Sequence, residues 1–298
     1  MSDLFNTGVR PAVDEWLLNK SKETRDYGNY WSASSAGYCM RKVLFERLGV
    51  PKIAQEGDAR KQRVFTSGHL FHDWIQSITK ANGTSIAQEV ELQDEDLMIR
   101  GHFDDLVLVP TGKFDIDGLS SKDIAEAWSD TGVTKLENVT ATPKQNLILY
   151  DYKTVNSRSF MWAKKNGNAM SHFHRLQLGT YMYMLRKLAT DTEKMGAKLL
   201  PLGKQLEDLT EARILKIEKD TLMMMEQQLL WTPDLEKDVV EYWKTLNGYW
   251  KNKKLPKCTC ADFEGGFMAK EQYNGYYYEG EPCSLKYYNK CKKEGLLK

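Results

Sequence analysis

Residues 146–154 constrain this chain more than any other stretch. An apolar run, 147–150, leads directly into Asp151-Tyr152-Lys153. A short apolar run of this kind predicts a buried β-strand. Side chains at i and i+2 leave the same face of a strand. The carboxylate of Asp151 and the amine of Lys153 therefore enter one space near the end of that strand.

An acid and an amine held side by side suit a hydrolytic metal site. The carboxylate can hold Mg²⁺ or Mn²⁺, and the amine can orient or deprotonate a water molecule. An isolated Asp-x-Lys tripeptide is more often an exposed ion pair, because such tripeptides are common by chance. The interpretation therefore depends on what the rest of the chain supplies.

Composition narrows the class of protein. The 298 residues are 41% hydrophobic and 28% charged, which is typical of a folded globular chain and not of a disordered one. The chain has no apolar run long enough to span a membrane, and its first residues lack the pattern of a signal peptide. We expect a cytoplasmic protein of a bacterial, archaeal or phage-infected cell, without a membrane partner. A net charge of +1 still permits a local basic groove.

The cysteines are unevenly distributed. One lies near the start and four lie near the end: Cys39, then Cys258, Cys260, Cys283 and Cys291. An odd number of cysteines without a secretion signal argues against a disulfide framework. Clustered cysteines in a reducing compartment more often bind a metal, so the pattern predicts a metal centre.

Hydrophobic periodicity predicts both strands and helices, and therefore an α/β fold. The predicted strands are 86–92, 97–109, 147–153 and 212–217. The predicted helices are 13–20, one from Ser32 or Ser34 to 48, 67–78, 121–129, 174–189, 219–230 and 234–250. We predict three parts: a helical segment 1–66, a core 67–230 with an insertion at about 110–145, and a C-terminal helix with a cysteine-rich segment, 231–298. Residues 52–66 and 156–168 are predicted to be polar connections.

Other candidate site residues lie on these elements. His72 lies beside the apolar stripe of its predicted helix. Asp104 and Asp105 point to opposite faces of a strand, so only one of them enters a given site. Asp105 is the alternative if the strand register is shifted by one residue.

Four short motifs occur in chain order: Gly68-x-x-x-His72, Gly101-His102-Phe103-Asp104, Asp151-Tyr152-Lys153-Thr154 and Gln177-Leu178-Gly179-Thr180-Tyr181. This order resembles the RecB-like branch of the PD-(D/E)XK nuclease superfamily. Within that branch it is similar to the CRISPR-associated RecB-like and phage-encoded exonucleases that carry an iron–sulfur cluster. The resemblance implies a restriction-endonuclease-like core, with a mixed central β-sheet flanked by helices, and a divalent-metal-dependent DNA exonuclease.

The same resemblance implies roles for individual residues. The metal ligands would be His72, Asp104 and Asp151, with the carbonyl of Tyr152 as a further ligand. Lys153 would position the attacking water and help to deprotonate it. Gln177 and Tyr181 would steady the site or contact the DNA backbone.

The resemblance also gives the cysteines a role, because one N-terminal and three C-terminal cysteines would hold a [4Fe-4S] cluster. The predicted ligands are Cys39, Cys283, Cys291 and one of Cys258 and Cys260, with Cys260 preferred. The chain departs from the usual C-x2-C-x5-C tail, because Lys286 occupies the position three residues after Cys283. A structural zinc on the same thiolates, or cysteines that bind no metal, remain alternatives. A cluster would join the N- and C-terminal segments.

Basic residues flank the proposed site. We predict that Arg41, Lys42 and Arg158 bind DNA. Further basic and aromatic residues stand near them in sequence: Arg60, Lys61, Arg63, Phe160, Trp162, Lys164 and Lys165. Cations that hold phosphates and rings that stack on bases suit single-stranded DNA. An ordinary solvated charged surface is the alternative explanation.

The predicted activity is exonucleolytic hydrolysis of single-stranded DNA or DNA ends, with 5′→3′ polarity implied by the resemblance, which also allows a homo-oligomer. Two other functions stay open. The chain could be a weakly catalytic or non-catalytic module that binds DNA in a recombination or CRISPR-adaptation-like complex. It could also hydrolyse another phosphate ester.

Overall fold

The computed structural model describes residues 9–20, 28–48, 59–115, 142–165, 169–254 and 256. In these ranges the helices are α1 Val9–Lys20, α2 Met40–Arg47, α3 Ala59–Ala81, α4 Ser157–Lys165, α5 His172–Ala189 and α6 Pro233–Lys251. The strands are β1 Trp31–Ser32, β2 Ser85–Asp94, β3 Ile99–Asp115, β4 Thr142–Val155, β5 Glu211–Glu218 and β6 Met224–Leu230. Short 3₁₀ segments add Ala33–Ser35, Thr192–Lys194 and Leu200–Asp208. Among the described helices, none is both long and apolar enough to cross a bilayer.

All six described strands form one mixed sheet. The long strand β3 pairs antiparallel with β2 along one edge. Along its other edge it pairs antiparallel with β4 and, over two residues, parallel with β1. β4 then pairs parallel with β5, and β5 pairs antiparallel with β6. The predicted fold class is confirmed: a mixed sheet flanked by helices, consistent with a restriction-endonuclease-like fold.

Strand alternation decides what each face of the sheet packs against. On β4, Ile148, Tyr150 and Tyr152 belong to a small cluster that includes Ile75 of α3. Leu149 points the other way, into the larger core. That core also contains residues of α5 and α6, including Leu178, Met182, Leu185, Val239 and Trp243. Asp151 and Lys153 continue the Leu149 face, which α5 covers.

The described parts of the N-terminal segment pack against α6. The indole Nε1 of Trp31 donates to Oδ1 of Asn247 at 2.7 Å. The guanidinium of Arg47 lies between the rings of Trp31 and Trp250, 4.1 and 4.4 Å from their centroids. These contacts hold the flanking segments together, while the predicted three-part division remains a prediction.

The predicted helix 219–230 is wrong, because residues 224–230 form strand β6. Met, Glu, Gln and Leu favour helices, but the free edge of β5 accepts this segment as a strand. The carboxylate of Glu218 fixes the turn by accepting hydrogen bonds from the backbone N–H groups of Asp220 and Thr221. Pairing with the preceding strand and a turn held by Glu218 therefore override helix propensity.

Two predicted connections are partly helical. α3 begins at Ala59, inside the predicted connection 52–66, and Arg63 forms an ion pair with Asp14 of α1. The predicted loop 156–168 contains α4, which buries Phe160 and Ala163. In both cases, contacts with distant segments stabilise a helix that the polar composition had hidden.

Two boundaries also differ from the predictions. A bridge at β1 and a 3₁₀ turn precede α2, whose N-cap is Cys39, so neither Ser32 nor Ser34 begins a helix that runs to 48. The β3–β4 ladder continues to Asp115 and Thr142, within the predicted insertion 110–145. The predicted helix 121–129 lies outside the described residues.

Candidate active site

The candidate site lies where β3 and β4 separate. Their ladder begins at the pair Asp105 and Tyr150 and runs away from the site. Beyond it, β3 pairs with β2 while β4 pairs with β5, so a fork opens between the two strands. Asp104 and Asp151 are the first residues past the last ladder pair. Both acids therefore stand at the mouth of this fork.

Asp104 replaces one missing ladder contact. Its Oδ2 accepts a hydrogen bond from the backbone N–H of Tyr152 at 2.7 Å. Burial and the nearby charge of Asp151 raise the pKa of Asp104 to about 8. Two carboxylates held this closely disfavour joint ionisation unless a cation neutralises them.

Asp151 is held by two donors. Its Oδ1 accepts from Nζ of Lys153 at 3.0 Å and from Nε2 of Gln177 at 3.2 Å. Burial disfavours the ammonium form of Lys153, but Asp151 and Asp104 outweigh it and raise its pKa. The predicted pairing of Asp151 with Lys153, and the approach of Gln177 from α5, are both present in the structure.

His72 reaches the fork from α3. Its Nδ1 lies 3.6 Å from Oδ2 of Asp104. Burial, together with the positive charge of Lys153, lowers the pKa of His72, which leaves a neutral imidazole able to bind a metal. One turn earlier, a Cβ on Gly68 would lie 3.3 Å from Oγ1 of Thr154, so glycine lets α3 pass close to the end of β4.

Glu89 is a site residue that the sequence analysis missed. One ligand atom each from His72, Glu89 and Asp104 lie within 4.8 Å of one another. Glu89 has a φ of 49°, a left-handed conformation that is strained for this residue type. Nε2 of Gln76 donates to Oε1 of Glu89 at 2.9 Å and holds it there. No motif marks Glu89, since it is the pairing of β2 with β3 that places it opposite Asp104.

These residues fit a divalent cation. They offer carboxylate oxygens and one imidazole nitrogen, the ligand types of Mg²⁺ and Mn²⁺ sites. Asp151 is 4% exposed, and its buried Oδ2 accepts no hydrogen bond from the described residues. That oxygen lies 2.9 Å from Nζ of Lys153 without hydrogen-bond geometry. A buried acceptor left over in this way is suited to a metal ligand.

Asp105 does not enter the fork. It is fully buried on the opposite face of β3 and accepts hydrogen bonds from three elements. The register therefore places Asp104, and not the alternative Asp105, among the site residues.

Tyr181 lies one turn beyond Gln177 but is 4% exposed. A Cβ on Gly101 would lie 2.7 Å from Cβ of Ala33 and 3.0 Å from the hydroxyl oxygen of Tyr181. The absence of a side chain at Gly101 thus lets Tyr181 of α5 and Ala33 pack directly against β3. Tyr181 is thus buried between α5 and β3, and its predicted role in the site stays a prediction.

The predicted DNA contacts divide into buried and exposed residues. Arg41 and Lys42 are 3% and 5% exposed, so the structure does not present their charges to DNA. Arg41 donates to the carbonyl of Pro256 at 2.8 Å, and the ammonium of Lys42 lies 4.4 Å from the ring centroid of Tyr38. Arg158 is exposed on α4.

Cys39 is half-buried at the N-cap of α2. The other predicted cluster ligands, Cys258, Cys260, Cys283 and Cys291, lie outside the described residues. The carbonyl of Pro256 accepts a hydrogen bond from Arg41, so Pro256, two residues before Cys258, lies beside α2.

No family model and no curated protein matches this chain. It is similar to the solved structure of SSO0001, with a TM-score of 0.42 and 14% identity over 84% of this chain and 88% of that one. It is also similar to an alkaline exonuclease, LHK-Exo, from Laribacter hongkongensis, with a TM-score of 0.35 and 10% identity over 76% of this chain and 93% of that one. LHK-Exo in complex with dAMP gives 0.35 and 12%, over 80% and 97%. Because these TM-scores are low, the proposals below depend on the geometry of the site.

Proposed function

We propose that the fork between β3 and β4 binds a divalent cation and hydrolyses phosphodiester bonds in DNA. The observation that carries the proposal is that two largely buried acids from separate strands, Asp104 and Asp151, meet beside the single ammonium group of Lys153. Leaving two such acids together without a cation is costly.

The residues that would hold Mg²⁺ or Mn²⁺ are His72, Glu89, Asp104 and Asp151. When bound, the cation lowers the pKa of a water molecule and neutralises charge on the phosphorane. Nζ of Lys153, at the edge of the fork, orients that water and the phosphate oxygens by donating hydrogen bonds. Gln177 holds Asp151 in place from α5.

The outer face of α4 supports single-stranded DNA as the substrate. Four exposed residues share this face at the spacing i, i+3, i+4 and i+7: Arg158, Met161, Trp162 and Lys165. The helix contains no acid, and Trp162 is 59% exposed. An aromatic ring between cations suits stacked bases and their phosphates.

This face also lies close to the fork along the chain. Four residues from Lys153 to Ser157 span at most about 14 Å, and five helical residues add about 7.5 Å. A strand cleaved at the fork therefore reaches Trp162 within a few nucleotides. The preference for ends and the 5′→3′ polarity are proposed on the resemblance of the four sequence motifs.

A cleavage assay on labelled single- and double-stranded DNA with Mn²⁺ tests the proposal. We expect the wild type to cleave single strands, and Asp151→Asn and Lys153→Ala to be inactive. Asp73→Asn, an exposed acid of α3 outside the fork, is the matched control and should retain activity. Cleavage that survives the first two changes would overturn the site assignment. An inactive wild type that still binds DNA would favour the assembly-module alternative.

We also propose that Cys39 joins Cys283, Cys291 and Cys260 in a [4Fe-4S] cluster, with zinc as the alternative. The hydrogen bond from Arg41 to the carbonyl of Pro256 supports this proposal, because it holds Pro256 beside α2, the helix that follows Cys39. Iron and acid-labile sulfide in the purified protein, both reduced in Cys39→Ser, would support the cluster. Stoichiometric zinc in a colourless protein would contradict it.

A further inference from the structure

Asp105 is a hub of hydrogen bonds directly behind the fork. Its Oδ2 accepts from Oγ1 of Thr79 at 2.7 Å, from Nε2 of Gln88 at 3.2 Å and from the hydroxyl of Tyr152 at 2.9 Å. Its Oδ1 accepts from Oγ of Ser85 at 2.6 Å. The donors come from α3, β2 and β4, and all of them are neutral. A fully buried carboxylate thus binds together the three elements that flank the site.

Tyr152 connects this hub to the catalytic strand. Its hydroxyl is held by Asp105, while its backbone N–H donates to Asp104 at 2.7 Å. Its sequence neighbours are Asp151 and Lys153. Its ring lies edge-on to His72, with 5.9 Å between the centroids. One residue, held at its hydroxyl by Asp105 and at its backbone N–H by Asp104, therefore contacts or adjoins four candidate site residues.

Gln88 connects the hub to the other side of the site. Nε2 of Gln88 donates to the carbonyl of Gln76 at 2.8 Å as well as to Asp105. Nε2 of Gln76 then donates to Glu89 and to the carbonyl of Asp104, each at 2.9 Å. These hydrogen bonds link Asp105 to the side chain of Glu89 and to the backbone of Asp104, whose side chain Tyr152 also holds.

The fold explains why such a network is needed. Main-chain pairing between β3 and β4 ends at Asp105 and Tyr150, so no ladder hydrogen bond fixes the distance between Asp104 and Asp151. A metal site requires its ligands to be held within roughly 0.5 Å of their working positions. Side chains behind the fork supply the constraint that the ladder does not.

We propose that Asp105 is a positioning residue that sets the spacing of the metal ligands in the fork through Tyr152 and Gln88. It touches neither the cation nor the substrate. The inference rests on the proposed function for the identity of the site, but it predicts an effect on metal binding that is measured without DNA.

The test is calorimetric titration of Mn²⁺ into Tyr152→Phe, which removes the hydroxyl that Asp105 holds and keeps the ring. We expect a Kd for Mn²⁺ about 10- to 100-fold weaker than that of the wild type. Cleavage should also fall and partly recover at high Mn²⁺, with KM for DNA unchanged. Asp105→Asn should weaken binding in the same direction.

Tyr150→Phe is the matched control. Tyr150 lies on the same strand and face, but its hydroxyl donates to Glu226 and not to Asp105. A purely structural role would lower the thermal stability of Tyr152→Phe and leave the Mn²⁺ affinity of the folded protein unchanged. That result, equal weakening in Tyr150→Phe, or a wild type that binds no Mn²⁺ would overturn the proposal. Weakened Mn²⁺ binding in a protein that cleaves no DNA would support it and reject the proposed function alone.

Discussion

Asp104 and Asp105 are neighbours in sequence and opposites in environment. Asp105 is fully buried and accepts hydrogen bonds from four neutral donors. Asp104 faces a second acid, and burial with that charge raises its pKa to about 8. Donors within the fold therefore satisfy the carboxylate of Asp105, whereas Asp104 and Asp151 form a pair of acids that a cation would neutralise. We expect Asp105 to stabilise the fold and Asp104 to bind the cation.

Asparagine substitutions of Asp104 and of Asp105 test this difference most directly. Asp104→Asn should lower DNA cleavage by roughly 10³-fold, since it removes a ligand of the cation that would neutralise charge at the reacting phosphate. It should also raise the melting temperature of the metal-free protein, because it removes repulsion from Asp151. Asp105→Asn should instead destabilise the protein by about 1–3 kcal/mol, since buried donors lose their acceptor. Cleavage rates and thermal melts in EDTA measure both effects, and equal destabilisation by both changes would contradict the contrast.

Glu89 lies in the candidate ligand group and also has a strained backbone, so its substitutions separate metal binding from stability. Glu89→Gln should weaken Mn²⁺ binding and cleavage by about 10- to 100-fold, because it removes one charge from the ligand group. Glu91→Gln is the control, since Glu91 lies on the same strand and pairs with Arg100 and His102 outside the fork. Glu89→Gly should weaken Mn²⁺ binding to a similar degree yet stabilise the metal-free protein, because glycine adopts a positive φ without strain. A Glu89→Gln protein with normal Mn²⁺ affinity would remove Glu89 from the site.

Phe160 and Trp162 form a second pair of near neighbours, one 3% and the other 59% exposed. Trp162→Ala should weaken binding of single-stranded DNA by about tenfold, the effect of losing one stacking platform. Binding of duplex DNA should change little. Trp74→Ala, an exposed tryptophan of α3, is the control in the same fluorescence anisotropy titration. Equal losses from the two changes would assign α4 no special role.

The pH dependence of stability tests the same contrast without DNA or a metal. The pKa of Asp104 rises from 3.8 to about 8 on folding, so the folded state binds a proton that the unfolded state has released. Between these values the unfolded state binds fewer protons, and the free energy of unfolding should fall as pH rises. Urea unfolding in EDTA between pH 5 and pH 8 should show this slope for the wild type and a weaker one for Asp104→Asn. A flat profile for the wild type would contradict the raised pKa.

Local patterns predicted much of the scaffold correctly. The strand that carries Asp151 and Lys153, the helix His172–Ala189 and the helix Pro233–Lys251 all follow from hydrophobic periodicity. Strand alternation allowed only one of Asp104 and Asp105 into the site, and the resemblance of the motif order favoured Asp104. Strand β6 and helix α4 did not, because an edge of β5 and a buried face decide them, and neither is visible in a local window.

The sequence by itself indicated most of the candidate site: an Asp-x-Lys strand, a preceding acid, a histidine and a glutamine at separate points of the chain. The Asp-x-Lys spacing is local to one strand, so it is recognisable without the fold, while the resemblance of the motif order indicated the other three residues. Only the tertiary structure decided that the β3–β4 ladder ends next to Asp104, that Glu89 lies beside His72 and Asp104, and that Asp105 links α3, β2 and β4 behind the fork. Those facts depend on contacts between segments far apart in the chain, where the end of one ladder creates the space that side chains from four elements fill.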